Sequence, residues 1–226
     1  MRAEVLAPFF WAIFRARTRQ EREWCYPPGP AVVRVEGSDP IRILIIGDGP
    51  AAGCGVLLQE LGVAGFLARH VAEETGRGVE VTVDAEPTAS ARSTLDRLGT
   101  IDLRGYDSIV LMLAATDALC LTGRRNWQQS MTRLIDALTS TGTHSVVVTS
   151  AASIELSRWL SPLGRRITGR HARVLNTATS LVCARSRVPM VSLDQARVLT
   201  ACTYAKWGSS IGARLCRALA VSRRHP

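Results

Sequence analysis

The stretch "IRILIIGDGPAAGCGV", residues 41–56, joins an almost unbroken apolar run to a turn rich in glycine. The apolar run predicts a buried strand, and the glycines predict a tight turn directly after it. Such a turn can cradle the pyrophosphate of a dinucleotide when a helix follows it. It can equally be a turn that presents a catalytic side chain at the end of a strand, in which case Gly49 leaves that position empty. The rest of the sequence helps to choose between these interpretations.

The bulk composition indicates one globular domain. The 226 residues are 46% hydrophobic and 21% charged, and no apolar run approaches the roughly 20 residues of a membrane-spanning helix. The formal charge of +9 rests on arginine, since Lys206 is the only lysine. Aromatic residues are few and do not alternate with the arginines, so the stacking surface of a single-strand binder is missing. We therefore expect no specific nucleic-acid binding.

The six cysteines show neither the C-x-x-C pairs nor the short Cys/His spacings of a metal site. Most of them stand among apolar residues, as in "LVCA" around Cys183, where cysteine serves as a small core residue. We predict reduced thiols in a cytoplasmic protein, with no metal and no cofactor.

The N-terminal segment, residues 1–25, carries aromatic residues followed by arginines. Its charges follow the apolar part, which is the wrong order for a signal peptide. One interpretation is a helix in the membrane interface, and the other is a segment that packs on the domain and covers an apolar patch. Both stay open. The residues that would contact anionic lipid are Arg15, Arg17 and Arg19 in this segment and Arg166 and Arg170 in a later helix.

Short apolar runs alternate with helical patterns over residues 41–222, which we assign to the domain. Residues 26–40, which begin with "YPPGP", predict a linker before it, and residues 223–226 form a basic tail. The alternation predicts an α/β fold: a three-layer α/β/α, flavodoxin-like sandwich around a parallel sheet of about five strands. The predicted strands are 41–47, 79–85, 107–115, 144–152 and 189–194, and the predicted helices are 56–74, 90–98, 126–139, 164–185 and 204–221.

The dinucleotide interpretation has the wrong spacing. Such a site places an acidic residue at the end of the second strand, about 20 residues past the glycine motif, where it binds the ribose. The only candidate here is Asp84, which lies 37 positions after Gly47. Dinucleotide binding through "GDGPAA" is therefore retained only as a second alternative.

Several segments, in order, resemble the SGNH/GDSL hydrolase family. "LIIGDGPAAGCGV" is similar to the family's first block, whose GDS turn carries the nucleophilic serine, and "YDSIVLMLAATDAL" is similar to its third block. "SRWLSPLGRRITGRHARVLNTATSLV" resembles an arginine-rich helix of bacterial members, and "YAKWGSSIGARL" resembles the family's closing helix. The resemblance covers about residues 40–222 and implies the SGNH hydrolase fold.

The resemblance also implies acyl transfer, in which a serine attacks an ester, a histidine takes its proton and an aspartate orients the histidine. An asparagine side chain and backbone N–H groups would hold the oxyanion. At the matching positions this chain has Gly49 for the serine, Thr116 for the asparagine and Val198 for the histidine. The groups that carry out the family's chemistry are therefore missing together.

Four further residues are equivalent to positions of the family's pocket. Thr88 falls near the glycine of the second block, and Asp194 lies close to the position of the triad acid. Asp48 and Asp117 adjoin the nucleophile turn and the oxyanion turn. A carboxylate pair can perform acid–base chemistry or hold a divalent ion, but we expect these two to cap turns or helix N-termini.

Other nucleophiles are present, but no base lies near them in sequence. Cys54 stands just past the turn, where we expect the helix to begin, and it is predicted to be a core thiol. Ser150 ends the fourth predicted strand. The four histidines, expected at surface or capping positions, are His70, His144, His171 and His225.

We therefore predict a catalytically inactive pseudo-esterase of SGNH type, with a binding or scaffolding role in the cytoplasm or at its membrane surface. This hypothesis predicts a retained cleft, widened by Gly49, that takes a small acyl or ester-like ligand. The alternative is an active ester hydrolase or acyltransferase with a relocated nucleophile.

Overall fold

One sheet forms the centre of the fold in the computed structural model, which describes residues 3–18, 25–28, 31–151, 160–196 and 198–222. The strands of these residues are β1 (Val32–Val35), β2 (Ile41–Gly47), β3 (Val79–Ala85), β4 (Ser108–Met112), β5 (Ser145–Thr149) and β6 (Met190–Val191). Their order is β1-β3-β2-β4-β5-β6, and every neighbouring pair is parallel except β1 and β3.

Helices cover both faces of this sheet. The helices of the described residues are α1 (Ala3–Thr18), α2 (Val63–Thr75), α3 (Ala91–Arg97), α4 (Ala115–Leu119), α5 (Arg124–Thr139), α6 (Pro162–Arg185) and α7 (Ala201–Ser222). One core lies between the sheet and helices α2 and α7, and a second core lies between the sheet and helices α3 to α6. The predicted three-layer α/β/α fold is confirmed.

The central strands are apolar because both of their faces are covered. All residues of β4 and β5 are buried, and β2 exposes only Arg42. Alternate residues of β2 enter the two cores: Ile43 and Ile45 face α2 and α7, whereas Leu44 and Ile46 face the other helices. Such near-continuous apolar runs are typical of parallel strands in a doubly covered sheet.

The segment predicted as a linker, residues 26–40, contains a strand. β1 pairs antiparallel with β3, with Val33 opposite Val81, and the side chain of Val33 is buried. Three β-branched valines in four residues favour a strand more strongly than the prolines before them oppose it. The prediction of a linker is therefore wrong for this part.

The helix predicted over residues 56–74 begins seven residues later, because α2 starts at Val63. Gly53 and Gly55 have φ angles of +85° and +87°, which lie outside the helical region, and only a short 3₁₀ helix (Gln59–Leu61) stands between them and α2. Cys54 therefore lies in the turn. Because no helix follows the glycines directly, the turn lacks the helix N-terminus that a dinucleotide site needs.

Helix α1 packs on the domain and also leaves aromatic side chains in solvent. Phe10 is buried against the core on the α4 side, whereas Phe9 is 63% exposed and Trp11 is 51% exposed. The interpretation as a segment that packs on the domain agrees with the burial of Phe10, and the membrane interpretation stays a prediction. In the part of the chain that the structure describes, no helix is both long and apolar enough to cross a bilayer.

Candidate functional site

Asp48 joins the turns that follow β2 and β4. In this sheet the chain moves from β2 outward in both directions, so the carboxyl ends of β2 and β4 form the switch point where α/β folds place their ligands. One carboxylate oxygen of Asp48 accepts hydrogen bonds from the N–H groups of Ala115 (2.8 Å) and Thr116 (3.3 Å). The N–H of Asp48 donates to the carbonyl of Met112 at 3.1 Å.

Asp117 makes the corresponding link between α3 and α4. Its Oδ2 accepts a hydrogen bond of 2.8 Å from the N–H of Ala91, the first residue of α3, and its carboxyl is also hydrogen-bonded to the Thr122 side chain. Asp48 and Asp117 thus each bind the N-terminal N–H groups of a helix, which agrees with the capping role expected from the sequence.

Both carboxyls are almost fully buried, and burial raises their pKa values. Desolvation is the largest cause for both: it raises the pKa of Asp48 to about 7 and that of Asp117 to about 6, against the backbone hydrogen bonds, which lower them. The negative charge of Asp117 raises the pKa of Asp48 further. Asp48 therefore changes its charge near neutral pH.

The chain's own N-terminal residues cover Gly49. A Cβ atom placed on Gly49 would lie 3.1 Å from the hydroxyl oxygen of Tyr26 and 3.3 Å from the carbonyl oxygen of Pro87. The phenol oxygen of Tyr26 thus lies close to the space that a serine side chain at position 49 would use. We call residues 25–28 the N-terminal strap.

The strap lies against two further glycines of the same turn. The N–H of Gly55 donates a hydrogen bond of 2.8 Å to the carbonyl of Cys25. Two ring carbons of Pro27 lie 2.9 and 3.0 Å from where a Cβ atom of Gly53 would be. Three consecutive strap residues therefore each contact a glycine, and a side chain on Gly49 or Gly53 would collide with the strap or force it to shift.

Polar contacts hold Cys54 to the strap on one side and to α7 on the other. The Tyr26 hydroxyl is hydrogen-bonded to the Cys54 thiol, and the Tyr204 hydroxyl donates a hydrogen bond of 2.6 Å to the carbonyl of Cys54. Burial raises the pKa of the Cys54 thiol to about 11, although the Tyr26 hydrogen bond opposes this shift. Cys54 is therefore an unreactive buried thiol, as predicted.

Thr88, Asp194 and Val198 lie in loops near this edge, but nothing brings them together as a catalytic set. Thr88 is exposed beside Pro87, and Asp194 is exposed, with its backbone carbonyl accepting a hydrogen bond from the Trp207 indole. Val198 is 51% exposed. The assignment of these three residues to family positions stays a prediction.

The candidate replacement nucleophile, Ser150, has a structural role. Its buried Oγ accepts a hydrogen bond of 2.9 Å from the N–H of Leu193, which fixes the chain after β6. The cavity that Ser150 shares with Asp48 has a volume of about 10 Å³, which is about the space of one water molecule. The predicted cleft stays a prediction, although the Tyr26 hydroxyl lies in the space beside Gly49.

The histidines lie elsewhere. His171 is buried on α6 with its Nε2 at 2.8 Å from the Thr122 carbonyl, and burial lowers its pKa, so the expected surface or capping position is wrong for this residue. His70 packs on Gly212 of α7, and His144 lies at the amino end of β5. His225 and the tail 223–226 lie outside the described residues.

The residue that sequence reasoning missed is Tyr26. The available signal was the spacing of Gly49, Gly53 and Gly55, which offers a side-chain-free surface next to a proline-rich segment.

The described residues contain no cluster of three or more metal-binding side chains. Of the residues predicted for lipid contact, Arg15, Arg166 and Arg170 are exposed, whereas the side chain of Arg17 and all of Arg19 lie outside the described part.

Comparison with known proteins agrees with this fold. No family model matches the chain. A GDSL-like esterase of Mycobacterium tuberculosis is 24% identical over 188 residues, which are 77% of this chain and 60% of that protein. The lipase/acylhydrolase of Enterococcus faecalis aligns with a TM-score of 0.63 at 18% identity, covering 78% of this chain and 96% of its own. The psychrotrophic esterase EstA of Pseudoalteromonas aligns with a TM-score of 0.58 at 16% identity, covering 77% of this chain and 98% of its own.

An α/β/α sandwich with this sheet and with its glycine turn after β2 is the SGNH hydrolase fold. The chain thus has the SGNH hydrolase fold and is similar to a GDSL-like esterase, which confirms the resemblance seen in its sequence.

The buried carboxyl of Asp48 predicts a pH-dependent stability. In the unfolded chain an aspartate has a pKa of about 3.9, so the unfolded state loses this proton at lower pH than the folded state, whose pKa is about 7. The contribution of Asp48 to the free energy of unfolding is fully present below about pH 4 and is lost as pH rises to about 7. The free energy of unfolding falls by up to about 1.4 kcal/mol per pH unit in this range. We expect Asp48→Asn, whose amide oxygen still accepts both hydrogen bonds, to remove this part of the decline.

The measurement is urea unfolding of the wild type and Asp48→Asn at about pH 5 and pH 8. The matched control is Asp136→Asn on the exposed face of α5, which should retain the decline of the wild type. An equal decline in Asp48→Asn and in the wild type would show that the Asp48 carboxyl is not protonated in the fold.

Proposed function

We propose that this chain is a catalytically inactive SGNH-like protein whose N-terminal strap takes the place of nucleophile and substrate, and that it acts by binding. The observation that carries the proposal is the position of the Tyr26 hydroxyl, 3.1 Å from a Cβ atom built on Gly49. A glycine has no group that attacks an ester, and losing the nucleophile of a serine hydrolase costs about 10⁶ in rate.

The charges around Gly49 also oppose acyl transfer. The oxyanion of a tetrahedral intermediate needs N–H donors aimed at it. The Pro87 carbonyl oxygen, 3.3 Å from the Gly49 Cβ position, can only accept hydrogen bonds, and Asp48 adds a negative charge above about pH 7. The Asp48 carboxylate already uses the N–H groups of Ala115 and Thr116. This environment disfavours a developing negative charge.

Among the described residues, no histidine lies near Gly49 to act as the general base. His171 is bound to the Thr122 carbonyl, His70 packs on α7, and His144 lies at the opposite end of the sheet. A serine placed at position 49 would therefore stay un-ionised and unactivated. An acyl or ester-like ligand at this turn would first have to displace the strap.

The expected result is the absence of hydrolysis. The wild type, Gly49→Ser and the double variant Gly49→Ser/Tyr26→Ala should hydrolyse p-nitrophenyl acetate no faster than an equal concentration of bovine serum albumin, and a fluorophosphonate probe should label none of them. The double variant has a hydroxyl at position 49 and no Tyr26 side chain over it, but it still lacks the histidine base. It therefore separates the effect of the missing base from the effects of the missing hydroxyl and the strap.

Hydrolysis by Gly49→Ser/Tyr26→Ala alone would show that a base is in place and that only serine and access are missing. The relocated nucleophile would be established instead if the probe labels the wild type at Ser150, as identified by mass spectrometry. This labelling should then be absent in Ser150→Ala and present in Ser209→Ala.

A second candidate function, attachment to an anionic membrane surface, is supported by helix α1. Phe10 fixes the helix to the domain, so the exposed Phe9 and Trp11 are held in one place, and the guanidinium of Arg15 lies 5.0 Å from the Trp11 ring centroid. Aromatic side chains beside arginine suit the interface between headgroups and acyl chains. The remaining predicted lipid contacts, Arg166 and Arg170, are exposed on α6.

The test is co-sedimentation of the full chain with phosphatidylglycerol vesicles. Phe9→Ser/Trp11→Ser should reduce the bound fraction several-fold, because it removes the apolar contact with the bilayer. The matched control is Leu57→Ser/Leu58→Ser, a pair with similar exposure outside α1, which should bind as the wild type does. Equal binding by all three proteins would contradict attachment through α1.

A further inference from the structure

A second, larger cavity lies at the amino end of the sheet, opposite to the turn at Gly49. Its volume is about 740 Å³, and it is formed by the end of α5, the loop before β5, the turn before β6 and the second half of α7. Its size is in the range of small-molecule sites. Its lining residues include neither the strap nor the residues at the family's catalytic positions. A ligand in this cavity is therefore independent of the proposed loss of activity.

Basic side chains from three elements line this cavity. Arg214 and Arg217 stand three residues apart on α7 and therefore share one face of that helix, Arg187 comes from the turn after α6, and His144 comes from the loop before β5. We call these four residues and the cavity between them the basic cleft. No aspartate or glutamate is among its lining residues.

Two acidic residues of neighbouring elements, Asp107 and Glu74, are not among the lining residues of this cavity. The backbone carbonyl of Asp107 accepts a hydrogen bond from the N–H of His144, but its carboxylate accepts one from the N–H of Arg42. Glu74 acts on Cys216, a neighbour of Arg217 in sequence that faces a different side of α7. Within the described part of the chain, the three arginines of the basic cleft form no ion pair.

Hydroxyl groups and an apolar wall complete the cavity. Ser145 and Ser186 offer hydroxyls in this lining, and Val188 and Pro189 provide an apolar surface. The hydroxyl of Thr143 donates to the Tyr106 carbonyl at 3.2 Å. Arg187 itself has a φ angle of +55°, a left-handed conformation that is unfavourable for a residue with a side chain. The turn thus places a long basic side chain where a glycine would fit with less strain.

We propose that the basic cleft binds a phosphate-bearing small molecule of about nucleotide size. Guanidinium groups pair with phosphate oxygens through two parallel hydrogen bonds, and three of them balance the two to three negative charges of a diphosphate. The hydroxyls donate to the remaining oxygens, and the apolar wall takes the body of the ligand. Phosphate groups of free metabolites and of lipid headgroups share this chemistry.

The experiment is titration calorimetry of the full chain with ADP and with inorganic pyrophosphate at physiological ionic strength. Both should bind, and Arg214→Gln/Arg217→Gln should weaken binding at least about tenfold, because two charge-assisted contacts are lost. The matched control is Arg124→Gln/Arg125→Gln, which removes the same charge from exposed positions of α5 outside the basic cleft. It should change the dissociation constant by less than about twofold.

Equal weakening by the two double variants would overturn the proposal, since it would show attraction by net charge alone. If neither ADP nor pyrophosphate binds, the vesicles decide. Binding of the wild type to phosphatidylglycerol vesicles, with clearly weaker binding of Arg214→Gln/Arg217→Gln alone, would identify a lipid headgroup as the source of the phosphate. Without that difference, the proposal is overturned. Thermal unfolding of each variant without ligand shows whether it is folded.

Discussion

The contact between the strap and the turn after β2 is the constraint on which the functional edge depends. Gly49, Gly53 and Gly55 present a backbone surface without side chains, and Cys25 to Pro27 lie against it. The contact joins the N-terminal part of the chain to the switch point of the sheet, where other proteins of this fold class leave room for a ligand. Gly49, at the predicted nucleophile position, therefore leaves the space beside it to the Tyr26 hydroxyl.

The buried carboxyls give this edge its rigidity and its electrostatic character. Asp48 holds the turns after β2 and β4 together, and Asp117 holds the start of α3 against α4. Each satisfies backbone N–H groups that would otherwise be unpaired at a helix start. The same N–H groups are then unavailable to an oxyanion. The two carboxyls thus stabilise the fold at this edge, because each is hydrogen-bonded to backbone N–H groups.

Much of the fold was predictable because its causes are local in sequence. Apolar runs such as residues 108–112 specify strands buried on both faces, and their alternation with helical patterns specifies the three layers. The start of α2 was not predictable from periodicity, since apolar residues continue through the turn and only the φ angles of Gly53 and Gly55 exclude a helix there. The strand β1 was hidden by the prolines before it.

The site was predictable only in what it lacks. Gly49 in place of a serine can be read from one position, but the contact with Tyr26 joins segments that share no periodic pattern. The burial of His171 depends on a carbonyl partner, Thr122, that lies 49 residues away. The basic cleft likewise gathers Arg187 and Arg214 from separate elements. Such groupings depend on tertiary packing, which the order of the residues alone does not display.

The most direct test of the central claim is a double-mutant cycle of Gly49→Ala and Tyr26→Phe, measured as free energies of unfolding in urea. The backbone of Gly49 lies outside the left-handed region, so only the neighbouring atoms oppose a methyl group there. We expect Gly49→Ala to lower the free energy of unfolding by about 1 kcal/mol in the wild type and by clearly less in Tyr26→Phe. The difference between these two losses, the coupling energy, should be at least about 0.5 kcal/mol. Strictly additive costs would contradict it, because they would show that the strap does not lie over Gly49.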